Sequence, residues 1–338
     1  MKKILSVLIV AMLAMGILGG CGKEVAVDQN VNEEQIEVNR IVTTYKPATG
    51  IVLALGGADH LVGVQDGGLK DKTLNQLVDN IDGLAQVGSK KQGVNIETII
   101  SLDPDLVVMY PVKDDDMTVK RLEEQGIKVV SISPESIKDL EKDILEVGKA
   151  MGEDEKANEL VSYYDEKIEM IKKNIPEDGS RKTIYLAGAR GVLSTSSGTF
   201  FQHHMMEAAG GLDVASELKG GWNEISVEQL MNWNPDVIAS VKYCPDGKPE
   251  EIYANDKLSN LNAIKEKQVY QMPSNIGPWD MPEPKSILGI MWMSKALYPE
   301  AFESIDLEKE ANYFHEKFYG VSYDELGGVL DVRGNTQE

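Results

Sequence analysis

The sequence predicts an α/β protein: two lobes of similar build with one long helix between them. Three observations carry this prediction. Short apolar strand signals alternate with helical ones along most of the chain, which implies parallel sheet. A thirteen-residue unit occurs twice at a constant offset of 131 residues, at 95–107 and 226–238. Between the copies runs an unbroken amphipathic stretch of about 22 residues, ~33 Å long as a helix. The 338 residues accommodate two domains at ~100–200 residues each, and 42% apolar residues supply their cores.

The chain opens Met1-Lys2-Lys3 and continues through residues 4–18 with Ser6 as the only polar side chain. That run is short of the ~20 residues a membrane span needs. With its basic start it reads as a secretory signal over residues 1–20. Leu18-Gly19-Gly20-Cys21 is similar to the bacterial lipobox, where the cysteine thiol is lipidated and the signal is cut before it. Cys21 is therefore the expected lipid anchor, at the extracytoplasmic face of the cell membrane. Residues 21–38 are polar and acidic without periodicity, as in a flexible linker.

The first lobe is expected over residues 39–152. Strand signals fall at 40–44, 61–64, 106–109 and 128–132, with helices at 48–55, before Gly56-Gly57, and at 119–125, before Gly126. A further helix carries Leu140, Ile144, Leu145 and Val147 to a stop near Gly152. The long helix occupies 153–176: Ala157, Leu160, Val161, Tyr164, Ile168, Ile171 and Ile175 keep one face apolar, Asp154 can cap the start and Pro176 ends it. Its mid-chain position suits a bridge between lobes, although an ordinary surface helix has the same pattern. The second lobe is expected over 177–323, with strands at 183–186, 237–241 and 268–272. Amphipathic helices at 286–297 and 307–318 close it, before a glycine-rich tail, 324–338, that is expected to fray.

Composition excludes several functions. The formal charge of −21 argues against nucleic acid as a partner, because phosphate binding needs clustered Lys and Arg. Two cysteines make neither a disulfide scaffold nor a cysteine-rich metal site, and once Cys21 is lipidated Cys244 has no partner and reads as structural. No Gly-x-x-x-x-Gly-Lys-Ser/Thr loop is present, so ATP hydrolysis belongs to a partner. The Gly-x-Ser-x-Gly elbow is also missing, and residues 194–199 are hydroxyl-rich without nucleophile–base spacing. No catalytic residues, intrinsic cofactor or direct metal ligands are assigned.

The two units share a glutamate seven residues before Pro-Asp, followed by an apolar strand. Asn95 and Ser226 suit the N-cap, which puts Glu97 and Glu228 in the first turn of a short helix. A carboxylate there complements the helix dipole. That role does not explain why both lobes repeat the acid in the same frame.

These units resemble the class III substrate-binding proteins of ABC importers, the helical-backbone receptors for iron–siderophores, haem, cobalamin or oxyanions. The resemblance covers about residues 39–320. It includes the lipobox, Leu55-Gly56-Gly57 before Val62-Gly63-Val64, Ala209-Gly210-Gly211 and Pro235-Asp236-Val237-Ile238. It implies two Rossmann-like lobes, one connecting α-helix, a ligand cleft between the lobes, and a monomer that serves a membrane permease with its ATPase. In that family the two unit glutamates dock onto permease arginines, a role that falls on Glu97 and Glu228. The expected cargo is a small molecule, a metal chelate, with a ferric siderophore first; cobalamin, haem or molybdate/tungstate are alternatives. An enzyme or metal-insertion factor on a related fold is the further alternative, as is a lipid-anchored signalling or adhesion module.

Ligands of α/β domains sit beyond the carboxyl ends of the strands. The candidate ligand contacts are therefore Tyr45, Lys46, Lys91, Tyr110, Arg190, His203, Trp222, Tyr243 and Trp279. Lys91 and Trp222 each lie six residues before a unit glutamate. The resemblance implies aromatics at this position in both lobes of cobalamin binders, so Lys91 departs from that pattern and favours a negatively charged ligand. Arg190 agrees, since guanidinium suits carboxylate, phosphate or catecholate oxygen. His203 and His204 point in different directions on a helix, so at most one of them serves a single metal. Trp279 sits in the rigid loop Pro278-Trp279-Asp280-Met281-Pro282, expected at the cleft rim.

Overall fold

The computed structural model describes residues 37–89, 93–111, 115–176 and 180–330. The signal, Cys21, nearly all of the linker, Lys91 and the tail after residue 330 lie outside the described residues. The described residues form one compact unit.

The first lobe runs β1 (Ile41–Thr43), α1 (Lys46–Ala54), β2 (Leu61–Val64), α2 (Lys72–Leu77), β3 (Ala85–Gln86), β4 (Gly88–Ser89), β5 (Gly93–Val94), α3 (Ile96–Ser101), β6 (Leu106–Met109), α4 (Asp115–Glu123), β7 (Lys128–Ser131) and α5 (Ile137–Met151). Its sheet has the order β3-β2-β1-β6-β7, parallel throughout. The long helix α6 (Asp154–Asn174) follows. The second lobe runs β8 (Thr183–Ala187), β9 (Ser194–Ser196), α7 (Phe201–Ala208), β10 (Leu212–Asp213), β11 (Trp222–Glu224), α8 (Val227–Trp233), β12 (Val237–Ser240), α9 (Pro249–Tyr253), α10 (Asn262–Lys265), β13 (Val269–Gln271), α11 (Ser286–Leu297) and α12 (Leu307–Tyr319). Its parallel sheet, β10-β8-β12-β13, repeats the order β2-β1-β6-β7 of the first lobe.

The repeated unit explains why the lobes fold alike. Asn95 Oδ1 accepts from Thr98 N at 3.1 Å, and Ser226 Oγ accepts from Gln229 N at 3.1 Å, so both short helices start on a side-chain cap. Each ends in a left-handed residue before the proline, Asp103 at φ 47° and Asn234 at φ 42°, a region that Asp and Asn tolerate. The aspartate after the proline then ties the unit to the first strand of its lobe. Asp105 Oδ2 accepts from the N–H groups of Asn39 and Arg40 at 2.8 and 2.9 Å. Asp236 Oδ2 accepts from Thr183 N and Oγ1 at 2.8 and 2.7 Å. Pro-Asp thus aligns β6 on β1 and β12 on β8.

α6 spans 21 residues and buries Ala157, Leu160, Tyr163, Tyr164, Ile168 and Ile171. It packs against α5 of the first lobe and against α7 and α11 of the second. Glu153 rather than Asp154 occupies its N-cap, without a side-chain hydrogen bond; Asp154 adds negative charge to the first turn. Three other expectations need correction. Val38, assigned to the linker, is buried in the core. α11, read as amphipathic, is buried on nearly every face, with Lys295 as its outlet. Residues 324–330 do not fray: Tyr323 is fully buried, Gly328 lies against its ring, and Leu330 bridges to Ser274.

Candidate functional site

Aromatic side chains gather at the carboxyl ends of both sheets. In the first lobe, Tyr45 follows β1 and Tyr110 follows β6, with ring centroids 5.0 Å apart edge to face. Tyr110 Oη donates to Glu135 Oε1 at 3.0 Å. Burial raises the Tyr45 phenol well above its ordinary value, and the Glu135 charge adds to this, so it stays a neutral donor. In the second lobe, Trp222 is half-buried and meets Phe200 edge to face at 5.9 Å. Its ring lies against Gly188, just after β8, where a Cβ would come within 1.9 Å of the indole, so only glycine admits it there. Tyr243, 40% exposed, donates to Asp280 Oδ2 at 2.7 Å. Asp280 is fully buried, and Gln202 Nε2 reaches both its carbonyl and its carboxylate, at 2.9 and 3.3 Å.

Four candidate residues are buried or already engaged. Trp279 is fully buried and packs 6.3 Å from Tyr323, so it belongs to the core and not the rim. Arg190 is exposed but pairs with Glu224 at 3.5 Å, so its charge is partly compensated. His203 Nδ1 is 2.8 Å from Asp213 Oδ2, a carboxylate with no exposure, which ties the imidazole to β10. Among the described residues no group of three or more His, Cys, Asp and Glu side chains is arranged to hold a metal. Lys46 pairs with Asp71 at 3.5 Å.

Lys46 belongs to a charge cluster that joins the lobes and that sequence reasoning missed. The stretch after Trp279 brings Glu283 and Lys285 onto α1, with 2% and 3% of their side chains exposed and 3.4 Å between Oε1 and Nζ. Glu283 lies closely against Gly50: a Cβ there would be 2.7 Å from Oε2 and 3.2 Å from the Glu283 Cβ. Lys46, Asp71, Glu283 and Lys285 line one small cavity with Thr49 and Tyr319, of about 10 Å³, the space of roughly one water. Burial alone would lower the Lys46 amine, but Glu283 and Asp71 outweigh it and the net direction is up. For Asp71, burial is likewise outweighed, by Lys285 and Lys46, and the net direction is down. Tyr164 of α6 holds the same segment, donating to the Pro284 carbonyl at 2.6 Å and meeting Ser286 Oγ at 2.9 Å. Bridge helix, first lobe and second lobe therefore meet at one charged knot.

Asp143 on α5 is 5% exposed, and its Oδ2 has no hydrogen-bond partner among the described residues. Burial first, then the Glu146 charge, push its carboxyl up to about 7; the Ser133 N–H and Lys142 oppose them. The folded protein thus binds this proton more tightly than the unfolded chain, whose Asp titrates near ~3.9. The resulting stability is fully present at low pH and is lost as pH rises from about 4 through about 7. Asp143→Asn is expected to stabilise the protein by about 1 kcal/mol at pH 8 and by little at pH 4. Urea unfolding at both pH values checks this; an equal effect at both would contradict it. Cys244 is buried, and burial followed by the Asp246 charge pushes its thiol up to about 12, too high for a reactive thiolate.

Two parallel-sheet lobes, one packed connecting helix and aromatic strand ends define a two-lobed binding protein. The model of the Periplasmic binding protein family matches residues 41–276, and the chain belongs to that family. It is 27% identical to the molybdate-binding protein of Haemophilus influenzae, over 95% of this chain and 98% of that one. It is 25% identical to an ABC transporter substrate-binding lipoprotein of Bacillus subtilis, over 90% of this chain and 100% of that one. A periplasmic solute binding protein from Veillonella parvula superimposes with a TM-score of 0.77 at 26% identity, covering 89% of this chain and 94% of that one. The chain is a substrate-binding protein of the ABC-transporter type and not an enzyme.

Proposed function

We propose that this chain is the lipid-anchored, extracytoplasmic receptor of an ABC importer and that it captures an anionic metal species. The importer role is carried by the duplicated unit: each lobe presents one glutamate in the first turn of a capped helix, Glu97 on α3 and Glu228 on α8. Both are suited to docking onto cationic side chains of a permease, with Cys21 as the anchor that keeps the receptor at the membrane. For the cargo, a metal oxyanion of the molybdate or tungstate type comes first, because the similarity to a molybdate-binding protein runs through nearly the whole chain. A ferric siderophore is the second reading. The ring pairs Tyr45–Tyr110 and Phe200–Trp222 favour it, since they offer aromatic faces to a bulky chelate.

Intrinsic tryptophan fluorescence of the protein, titrated with molybdate, tungstate, ferric siderophores, haem and cobalamin, tests the cargo. Saturable quenching by the first two, with no chemical change in the ligand, is expected; no response to any of the five would overturn the binding reading. Trp222→Ala is expected to weaken binding of the active ligand about tenfold or more, as a central aromatic contact does. Unchanged affinity in that variant would remove Trp222 from the site.

A further inference from the structure

The two glutamates are not equivalent, although their helices are. Arg121, on α4, places Nη2 at 2.6 Å from Glu97 Oε1, and both side chains are largely solvent-exposed. Glu97 and Arg121 border one shallow depression of about 450 Å³ together with Gly93, Val94, Asn95 and Ile96. Glu228 has no ion-pair partner among the described residues. The duplication shows where the symmetry breaks. The second lobe departs in build beyond the repeated unit: Val107 pairs with Val129, while its counterpart Ile238 pairs with Val269, so the offset grows from 131 to 140. Where the first lobe offers its glutamate an internal guanidinium, the second lobe offers Glu228 no ion pair among the described residues.

We propose that Arg121 is a built-in competitor for the partner's cation at Glu97, so that docking is ordered: the importer engages Glu228 first and takes Glu97 second, by displacing Arg121. This rests on the permease-docking reading of the two glutamates. The physical reason is an exchange of partners. A cation of the permease gains the full attraction of an unpaired carboxylate at Glu228. At Glu97 it gains only the difference between its own pairing and that of Arg121. An exposed ion pair is weak, so Arg121 lowers occupancy without blocking it. This gives the receptor one contact that forms readily and one that forms more readily once the second lobe is already held.

Binding of the ligand-free mature protein to its permease–ATPase complex in nanodiscs, at 50 and 300 mM NaCl, tests the order. Arg121→Ala is expected to tighten docking about two- to fivefold at low salt and less at high salt. In the unaltered background Glu97→Gln is expected to cost less affinity than Glu228→Gln; in the Arg121→Ala background the two costs should become equal. Arg121 is exposed, so thermal unfolding of that variant should match the parent. Docking that is unchanged or weakened by Arg121→Ala, or equal costs for the two glutamine variants in the unaltered background, would overturn the ordered mechanism while leaving the docking role standing. If Glu97→Arg and Glu228→Arg both dock like the parent, the docking role itself fails.

Discussion

Glu283→Ala is expected to destabilise the protein by about 3–5 kcal/mol, among the largest effects available to a single substitution in this chain. The carboxylate is 2% exposed, and its removal leaves Lys285, 3% exposed, with a buried ammonium lacking its nearest counter-charge. The cluster is tolerable because it balances: Lys46 and Lys285 against Asp71 and Glu283 around a single water-sized space. Deleting one member is therefore worse than deleting a pair. Glu283→Ala combined with Lys285→Met should recover a substantial part of the loss, which a double-mutant cycle by urea unfolding reads directly. Gly50→Ala should also destabilise, by forcing Glu283 off α1, where a Cβ would come within 2.7 Å of Oε2. Because Glu283 joins second-lobe chain to first-lobe helix, its loss should also split one cooperative unfolding transition into two. A cost below about 1 kcal/mol with a single transition would mean that the charges are hydrated and do not tie the lobes.

The parts of this fold that were legible in the sequence are those with local signals. β1, β6, β8 and β12 are short apolar runs, and α5 and α6 carry clean stripes closed by Gly152 and Pro176. The duplicated unit was readable because its caps, its glutamate and its Pro-Asp are all within thirteen residues. β9 and β11 carry no local signal, since Ser194-Thr195-Ser196 and Trp222-Asn223-Glu224 have no apolar alternation; they pair only because the chain returns to them. Trp279 sits in a Pro-flanked aromatic loop whose sequence reads as surface, while in the fold it is buried against Tyr323. α11 looked amphipathic because Ser286, Gly289, Ser294 and Lys295 interrupt its apolar residues, yet the small ones are where neighbours approach closely: a Cβ on Gly289 would lie 2.5 Å from the Trp279 carbonyl. The interlobe knot had no local signal at all. Lys46 and Lys285 are charged residues more than two hundred positions apart, and a lysine in a loop ordinarily reads as solvated. What sequence patterns report is each lobe's own periodicity; what joins the lobes depends on contacts that periodicity does not encode.

Reversing the charge of both repeated glutamates, Glu97→Arg with Glu228→Arg, is expected on the proposed docking role to reduce ligand uptake by cells at least tenfold while leaving the affinity of the isolated protein for its ligand within about twofold. Each glutamate stands in the first turn of a short capped helix, and the cap is made by Asn95 or Ser226, so the carboxylate itself is not needed for the local fold. The reversal does remove a favourable helix-dipole interaction, at about 0.3–1 kcal/mol per site. In the first lobe it also sets a second guanidinium against that of Arg121, where the parent holds an ion pair. These are small losses beside the repulsion that like charges create at a docking surface, which costs several kcal/mol. The two single reversals should differ: Glu228→Arg meets the partner without an internal competitor and should be the more damaging. The glutamine variants separate charge from shape, and should lose docking less than the arginine variants in both lobes. Uptake assays paired with fluorescence titration of the same variants distinguish the roles. If ligand affinity falls in step with uptake, the two carboxylates serve the cleft and not the membrane partner.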